Sequence, residues 1–474
     1  MSDIEVRNPF GGQLVFSQHS ETVEEVDVKI SLLNEANRAW SKLSVSIRAE
    51  LIRKALEYFR ENHESIARAI TAEVGKPIQA ADDELEYMIE RAETMCSFAE
   101  KGALSPLSSV GENFEGWIDY RSKGVVYVIS PWNYPLFCAI NGTICSLLTG
   151  STVLLKHTTA PSVGRHFQNA FNCMGGLENL LFATIIDYSV SAQVIETKDI
   201  NHVIFTGSVD GGRAIQASLA RRANSDVRNP FLSYSLELGG NDAAYIAEDA
   251  DLPYAVDSTI NIGRLHNSGQ SCCAVKRVFV HRKHYEAYLA AAKEEIAKHR
   301  FGDPMDPQTT LGPLVGGEQT VVRLKALVDD ARKNGARLIC GGEVVIVDKT
   351  SFIEPTLLAD VSMDMKVMDV ETFGPVLPVM VVESDDEAIR LIQSSQYGLT
   401  SAIFTDSRSR AERFVRQMNT GTVFVNRCNF VDARLGWIGY GRSGNGAVTL
   451  SPLGLQTISN PQSVNIDPSR LRNT

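Results

Sequence analysis

Strand-length apolar runs that alternate with helical stretches constrain this chain more than any other feature it has. VVYVI (125–129), STVLLK (151–156), HVIFTG (202–207), SLELGG (235–240) and DAAYIA (242–247) are all short and apolar-rich. A strand apolar on both of its faces needs cover on both faces. That pattern predicts a parallel sheet sandwiched between helices. A second cycle follows, with strands at RVFVH (277–281), VLPVMVV (376–382), SAIFT (401–405) and GTVFVN (421–426). Helices fall at 285–300 and 320–336, the latter ended by Gly335. The chain therefore reads as two α/β units that change over near Gly239–Gly240, and 474 residues suffice for both.

The flanking segments read differently. Residues 22–104 are mostly helical, with Ile52, Leu56, Phe59, Ile66 and Ile70 near the helical period and a stop at Gly75 and Pro77. In GWIDYRSKGVVYVIS, Ile118 and Tyr120 alternate with polar neighbours, which predicts an extended ribbon running into a buried strand. Beyond about residue 454 the chain is short, polar and broken by Pro461, an arm suited to pairing with another subunit.

Composition excludes some functions. A net charge of −11 argues against a broad basic face for nucleic acid. The eight cysteines include no C-x-x-C, so neither a zinc site nor a disulfide framework is expected, and a reduced, cytoplasmic protein without a metal is. The N-terminus shows no signal peptide, and no apolar run is long enough to span a membrane.

Four short segments carry chemistry, and a fifth is a false lead. GYGRSG (439–444) matches G-x-G-x-x-G but lacks the strand before and the helix after that a dinucleotide fingerprint requires, so it reads as a loop. NSGQSCCAVKR places Cys272 in a Gly/Ser-rich loop open to close approach by a substrate. Glu237 stands at the end of an apolar strand, where desolvation suits it to act as a general base near neutral pH. Asn133, bracketed by Pro131 and Pro135 after a buried strand, is a rigidly placed amide donor for an oxyanion. In FTGSVDGGR, Gly207 and Ser208 open a strand-to-helix turn of the kind that accepts a phosphate. Each has an ordinary structural reading too: a buried thiol, a capping Glu, a turn Asn, a plain strand–helix turn.

Taken in order, SPWNYPL, LLKH, FTGS, LELGG, GQSCC and ETFGPV resemble the aldehyde dehydrogenase superfamily across nearly the whole chain. The resemblance implies an α/β fold of the aldehyde dehydrogenase type, with two α/β domains built on parallel-rich sheets plus a small β oligomerisation arm. Residues 1–114 and 125–240 would form the NAD(P)-binding domain, 241–445 the catalytic domain, and 115–124 with 454–474 the arm of a homodimer or homotetramer. It implies that Cys272 attacks the aldehyde, that Asn133 and the Cys272 N–H hold the oxyanion, and that Glu237 activates the thiol or the hydrolytic water. It implies NAD or NADP as cofactor, bound by Lys156, Glu371, Phe373, Trp132, Gly207 and Ser208.

The sequence also departs from the family pattern. Thr159 stands where many NAD-preferring relatives carry Glu, which leaves NADP open, and His157 beside Lys156 is like the succinate-semialdehyde dehydrogenase branch. RRANSDVRNP (221–230) reads as an inserted loop, either inert or reshaping the adenine pocket. Cys273 reads as a spectator in preference to a redox partner of Cys272. Near the substrate mouth, Arg427 and Arg434 are candidates for a substrate carboxylate, while Phe430 and Trp437 could line an apolar tunnel. The alternatives are a CoA-acylating relative, against which Glu237 argues, and a non-catalytic protein on the same fold.

Overall fold

The structure is a computed structural model that describes residues 3–111 and 114–471. The first α/β unit is a five-stranded, wholly parallel sheet in the spatial order Leu181–Thr184, Thr152–Lys156, Val125–Ile129, His202–Thr206, Ser233–Glu237. The first three strands step to one side and the last two to the other, so the order reverses between Val125–Ile129 and His202–Thr206. Every residue of Val125–Ile129 and Thr152–Lys156 is buried, as their apolar composition requires. Helices Val23–Trp40, Val45–Glu61, His63–Val74 and Ile78–Phe98 precede the sheet. The helix His63–Val74 ends at Gly75 in the left-handed region (φ 70°), where a Cβ would crowd Pro313.

Glu237 ends the first sheet and Asp242 begins the second, so the unit boundary falls at the predicted glycine pair. The second sheet has seven strands, ordered Arg337–Cys340, Thr356–Ala359, Val376–Val382, Val275–His281, Asp242–Ile246, Thr400–Phe404, Thr422–Val425. All neighbours are parallel except the edge strand Arg337–Cys340, which runs antiparallel to Thr356–Ala359.

A separate three-stranded antiparallel sheet joins Leu107–Gly111, Phe114–Arg121 and Asn460–Ile466. One expectation shifts here. Leu107–Gly111, assigned by sequence to the first α/β unit, is a strand of this small sheet. The polar tail pairs within its own chain, with Asn460 opposite Arg121 and Ile466 opposite Glu115. The physical reason is the ribbon's open edge, whose unpaired N–H and C=O groups the tail satisfies.

Candidate active site

The carboxyl ends of the first sheet's strands lie side by side. They carry Trp132 and Asn133 after Ile129, then Lys156, Gly207 with Ser208, and Glu237. A parallel sheet leaves the crevice outside these ends open where the strand order reverses, and side chains there converge on it.

The cysteine loop faces this crevice through an unusual backbone. Asn267, Ser268 and Gly269 all lie in the left-handed region, with φ of 51°, 55° and 75°. Two consecutive non-glycine residues there are costly, and the surroundings hold them. Ser268 Oγ donates to the Gly312 carbonyl at 3.0 Å. The buried Arg264 guanidinium donates to the carbonyls of Gly269 (2.7 Å) and Thr372 (3.1 Å). Lys276, fully buried, donates to the carbonyls of Ser271 (2.7 Å) and Cys272. Gln270 accepts from Val315 N through its side chain at 2.9 Å, which gives this residue of the motif a positioning role.

Asn133 is tied directly to that loop. Its Nδ2 donates to the Gln270 carbonyl at 3.1 Å, and its own carbonyl accepts from Asn267 Nδ2 at 2.8 Å. An amide NH₂ has two protons, so one remains for an oxyanion. The turn carrying Asn133 is anchored by a buried pair. Glu84 Oε1 accepts from the Leu136 and Phe137 N–H groups at 2.9 and 3.0 Å, at the start of helix Pro135–Leu148. Lys76 pairs with Glu84 and lies 4.2 Å from the Tyr134 ring centre.

Cys272 and Glu237 line one cavity of about 490 Å³, together with Tyr134, Phe137, Ile204 and Trp437. Glu237 is 4% exposed, and neither carboxyl oxygen has a hydrogen-bond partner among the described residues. Burial alone therefore holds its carboxyl well above the usual carboxylate range. The neighbouring Cys273 thiol and burial together push the Cys272 thiol up. Cys273 Sγ donates to Asn429 Oδ1 at 3.1 Å. The strand end bearing Glu237 is closed by the glycine-rich loop: Leu238 N donates to Ser443 O at 2.9 Å, and a Cβ on Gly444 would collide with the Leu236 carbonyl. GYGRSG thus serves as an edge seal, with glycines where backbones meet.

The residues expected to hold a dinucleotide divide into two groups. Trp132 and Phe373 meet edge to face, ring centres 5.6 Å apart. Glu371 accepts from Gly240 N at 3.0 Å, and its oxygen lies 3.4 Å from Lys276 Nζ. Lys156 is 6% exposed and makes no hydrogen bond or ion pair with any described residue; its ammonium stands 5.2 Å from the Tyr188 ring centre. Burial pushes it down to about 8, opposed by Asp187. Ser208 Oγ caps helix Val209–Ala223 by accepting from Gly211 N at 3.0 Å, and Gly207 N donates to the Glu237 carbonyl at 3.0 Å. A buried ammonium without a partner, at the reversal crevice and beside a helix N-terminus, fits a cofactor rich in hydroxyl and phosphate oxygens.

A sequence model described as the aldehyde dehydrogenase family matches residues 1–464. The chain belongs to the aldehyde dehydrogenase family. It is 33% identical over 470 residues to the NADP(+) succinate-semialdehyde dehydrogenase of Deinococcus radiodurans, covering 98% of this chain and 94% of that protein. It is 31% identical over 463 residues to the NAD(P)+ succinate semialdehyde dehydrogenase Sad of Escherichia coli, covering 96% of each. The crystal structure of lactaldehyde dehydrogenase from Escherichia coli superposes with a TM-score of 0.91 at 28% identity, covering 98% of this chain and 96% of that one. This aldehyde dehydrogenase is thus an aldehyde-oxidising oxidoreductase with the α/β fold its motifs implied. Among the described residues, no helix is long and apolar enough to cross a membrane.

Two expectations about this aldehyde dehydrogenase are narrowed by its structure. Arg434 lines the cavity but forks onto Asp432 at 2.9 and 2.6 Å, which pairs its charge; Arg427 stacks over the Phe430 ring at 4.0 Å and does not line the cavity. Of the two readings of segment 221–230, its place in the fold favours the inert one. It joins the end of helix Val209–Ala223 to the start of strand Ser233–Glu237, and so lies at the amino edge of the parallel sheet, opposite the crevice. Arg222 pins it there by donating to the Asn229 carbonyl at 2.7 Å. The motifs did not disclose Arg91, Arg264, Lys276, Glu84 or Asn429. Lys276 lies only four residues beyond Cys272, but nothing in its type distinguishes a buried carbonyl-binding lysine from a surface one.

Proposed function

We propose that this aldehyde dehydrogenase oxidises an aldehyde to the carboxylic acid through Cys272, using NAD or NADP, with hydrolysis assisted by Glu237. The observation that carries the reading is the shared cavity, in which a thiol and an unpartnered carboxyl face the same space beside a held amide. Glu237, its oxygens free, takes the Cys272 proton. The thiolate attacks the carbonyl carbon, forming the C–S bond of a thiohemiacetal. The Asn133 Nδ2–H and the Cys272 N–H hold the resulting oxyanion, each donor worth roughly 3–4 kcal/mol. A bound dinucleotide would supply the hydride acceptor there, and loss of hydride from the thiohemiacetal carbon would leave a thioester on Cys272. Glu237 releases that proton to solvent and then takes one from water, whose oxygen attacks the acyl carbon; the C–S bond breaks, and the departing Cys272 thiolate takes the proton back from Glu237 as the acid is released.

Lys156, Glu371, Trp132, Phe373, Gly207 and Ser208 are assigned to the cofactor in this reading. Thr159 places no carboxylate against a 2′-phosphate, so NADP use is compatible. The small sheet of Leu107–Gly111, Phe114–Arg121 and Asn460–Ile466 is read as the assembly surface of a homodimer or homotetramer, and Leu107 and Val110 on it are exposed.

The test is reduced-cofactor formation over an aldehyde panel, with each cofactor. Cys272→Ala should abolish turnover and retain cofactor binding. Glu237→Gln should leave a pre-steady-state burst followed by slow release, and a fully active Glu237→Gln enzyme removes Glu237 from the base role.

A further inference from the structure

The cavity that holds Cys272 and Glu237 is walled mainly by apolar side chains, yet it contains a buried guanidinium. Arg91, on helix Ile78–Phe98, lines this cavity and is 7% exposed. Its Nη1 donates to Asn141 Oδ1 at 3.0 Å and its Nη2 to the Val431 carbonyl at 3.2 Å. Its Cζ lies over the Phe137 ring, 4.0 Å from the centre. A guanidinium has five N–H groups, so three have no acceptor among the described residues.

A buried cation is costly unless an anion accompanies it. Arg91 forms no ion pair within the described residues, and the acids near enough to favour its charge are committed elsewhere. Glu84 is held by Lys76 and two backbone N–H groups. Asp432 is held by the fork of Arg434. The exposed Glu90 lines the cavity and lies in the field of Arg434, so it meets a cation of its own. Asn141 also lines the cavity. Because its Oδ1 accepts from Arg91, its NH₂ is left as a second donor beside the guanidinium.

We propose that Arg91 and Asn141 form a carboxylate-binding subsite in the substrate cavity, so that the preferred substrate is an aldehyde bearing a second, anionic carboxylate. This rests on the reading of Cys272 as the nucleophile and deepens it. The guanidinium fork receives two carboxylate oxygens in one plane, with the Asn141 amide as an additional donor, and the substrate's charge replaces the missing partner of Arg91. The bonds to Asn141 and Val431 and the contact with the Phe137 ring hold the fork in place, so a lysine, with a point charge and no planar fork, does not substitute for it.

The experiment compares kcat/KM for a series of ω-carboxy aldehydes with kcat/KM for their uncharged methyl esters, in wild type, Arg91→Gln and Arg91→Lys. Calorimetry with succinate on Cys272→Ala, with and without Arg91→Gln, is run in parallel. The wild type is expected to favour the acid over its ester on the order of 30-fold or more, a preference lost in Arg91→Gln and largely lost in Arg91→Lys. Succinate binding should likewise require Arg91. Turnover of acid and ester at equal efficiency in wild type overturns the subsite while leaving aldehyde oxidation intact. If no aldehyde is turned over, the reading of Cys272 fails, and the calorimetry still decides: Arg91-dependent succinate binding upholds the subsite, and its absence overturns it. If Arg91→Gln does not fold, Arg91→Lys carries the same comparison.

Discussion

Glu237 is a carboxyl buried without a hydrogen-bond partner among the described residues, and that single fact links its role to its cost. Its pKa in the folded chain lies above the unfolded value, so between the two the unfolded chain holds fewer protons and stability falls as pH rises, by about 1.4 kcal/mol per unit. Below the unfolded value both states are protonated and the effect vanishes. Glu237→Gln should therefore gain stability relative to wild type as pH increases from 5 to 8, while losing the hydrolytic step. Denaturant unfolding at several pH values checks this, and a pH-independent difference contradicts it. Lys156 makes the complementary case. Pushed down to about 8 by burial, its ammonium is lost as pH rises through that value. Cofactor affinity should weaken above pH 8 by up to about tenfold per unit. Lys156→Arg, which stays charged, should abolish that slope in fluorescence titration. Cys272, Glu237 and Asn133 were legible because their motifs are local. Arg91 and Lys276 were not, because their meaning lies in what surrounds them after folding.

At the level of elements, glycines and caps bring the pieces to within reach. A Cβ on Gly240 would collide with the Cys272 carbonyl, and one on Gly239 with the Glu371 carboxylate. The LELGG segment thus touches both the nucleophile loop and a residue of the proposed cofactor site. Gly240→Ala should displace the cysteine loop and lower kcat by at least about tenfold, since small misplacements near the chemistry are costly; a crystal structure or a thiol-alkylation rate would register the shift. Glu84→Gln tests the anchor beneath Asn133. It leaves the buried Lys76 without its carboxylate and should cost about 3–5 kcal/mol, measured by denaturant unfolding. Most of the buried parallel strands were legible from their apolar runs, but Leu181–Thr184 and Thr356–Ala359, each four residues long, were not. The edge strand Arg337–Cys340 and the hairpin of Asp3–Arg7 with Leu14–His19 were not, because short, half-exposed strands carry little pattern.

On the scale of the whole molecule, the tail forms its own chain's third strand in the small sheet. In the proposed assembly that sheet presents exposed Leu107 and Val110, so Val110→Lys should lower the light-scattering mass toward the 52.0 kDa of one chain. An unchanged multimer would place the interface elsewhere. The two-unit organisation and its boundary at the glycine pair were visible in the sequence. The pairing of the tail within its own chain was not, since strand partners far apart in sequence leave no local trace. The site depends equally on late segments. Asn429 receives the Cys273 thiol, Val431 the Arg91 guanidinium, and the loop around Ser443 closes the strand bearing Glu237. A chain emerging from the ribosome exposes its thiol and its carboxyl long before these late segments are made. The cavity cannot close around an aldehyde until residue 443 has been made, so a nascent copy that stops short of it is a bare thiol and not yet an enzyme.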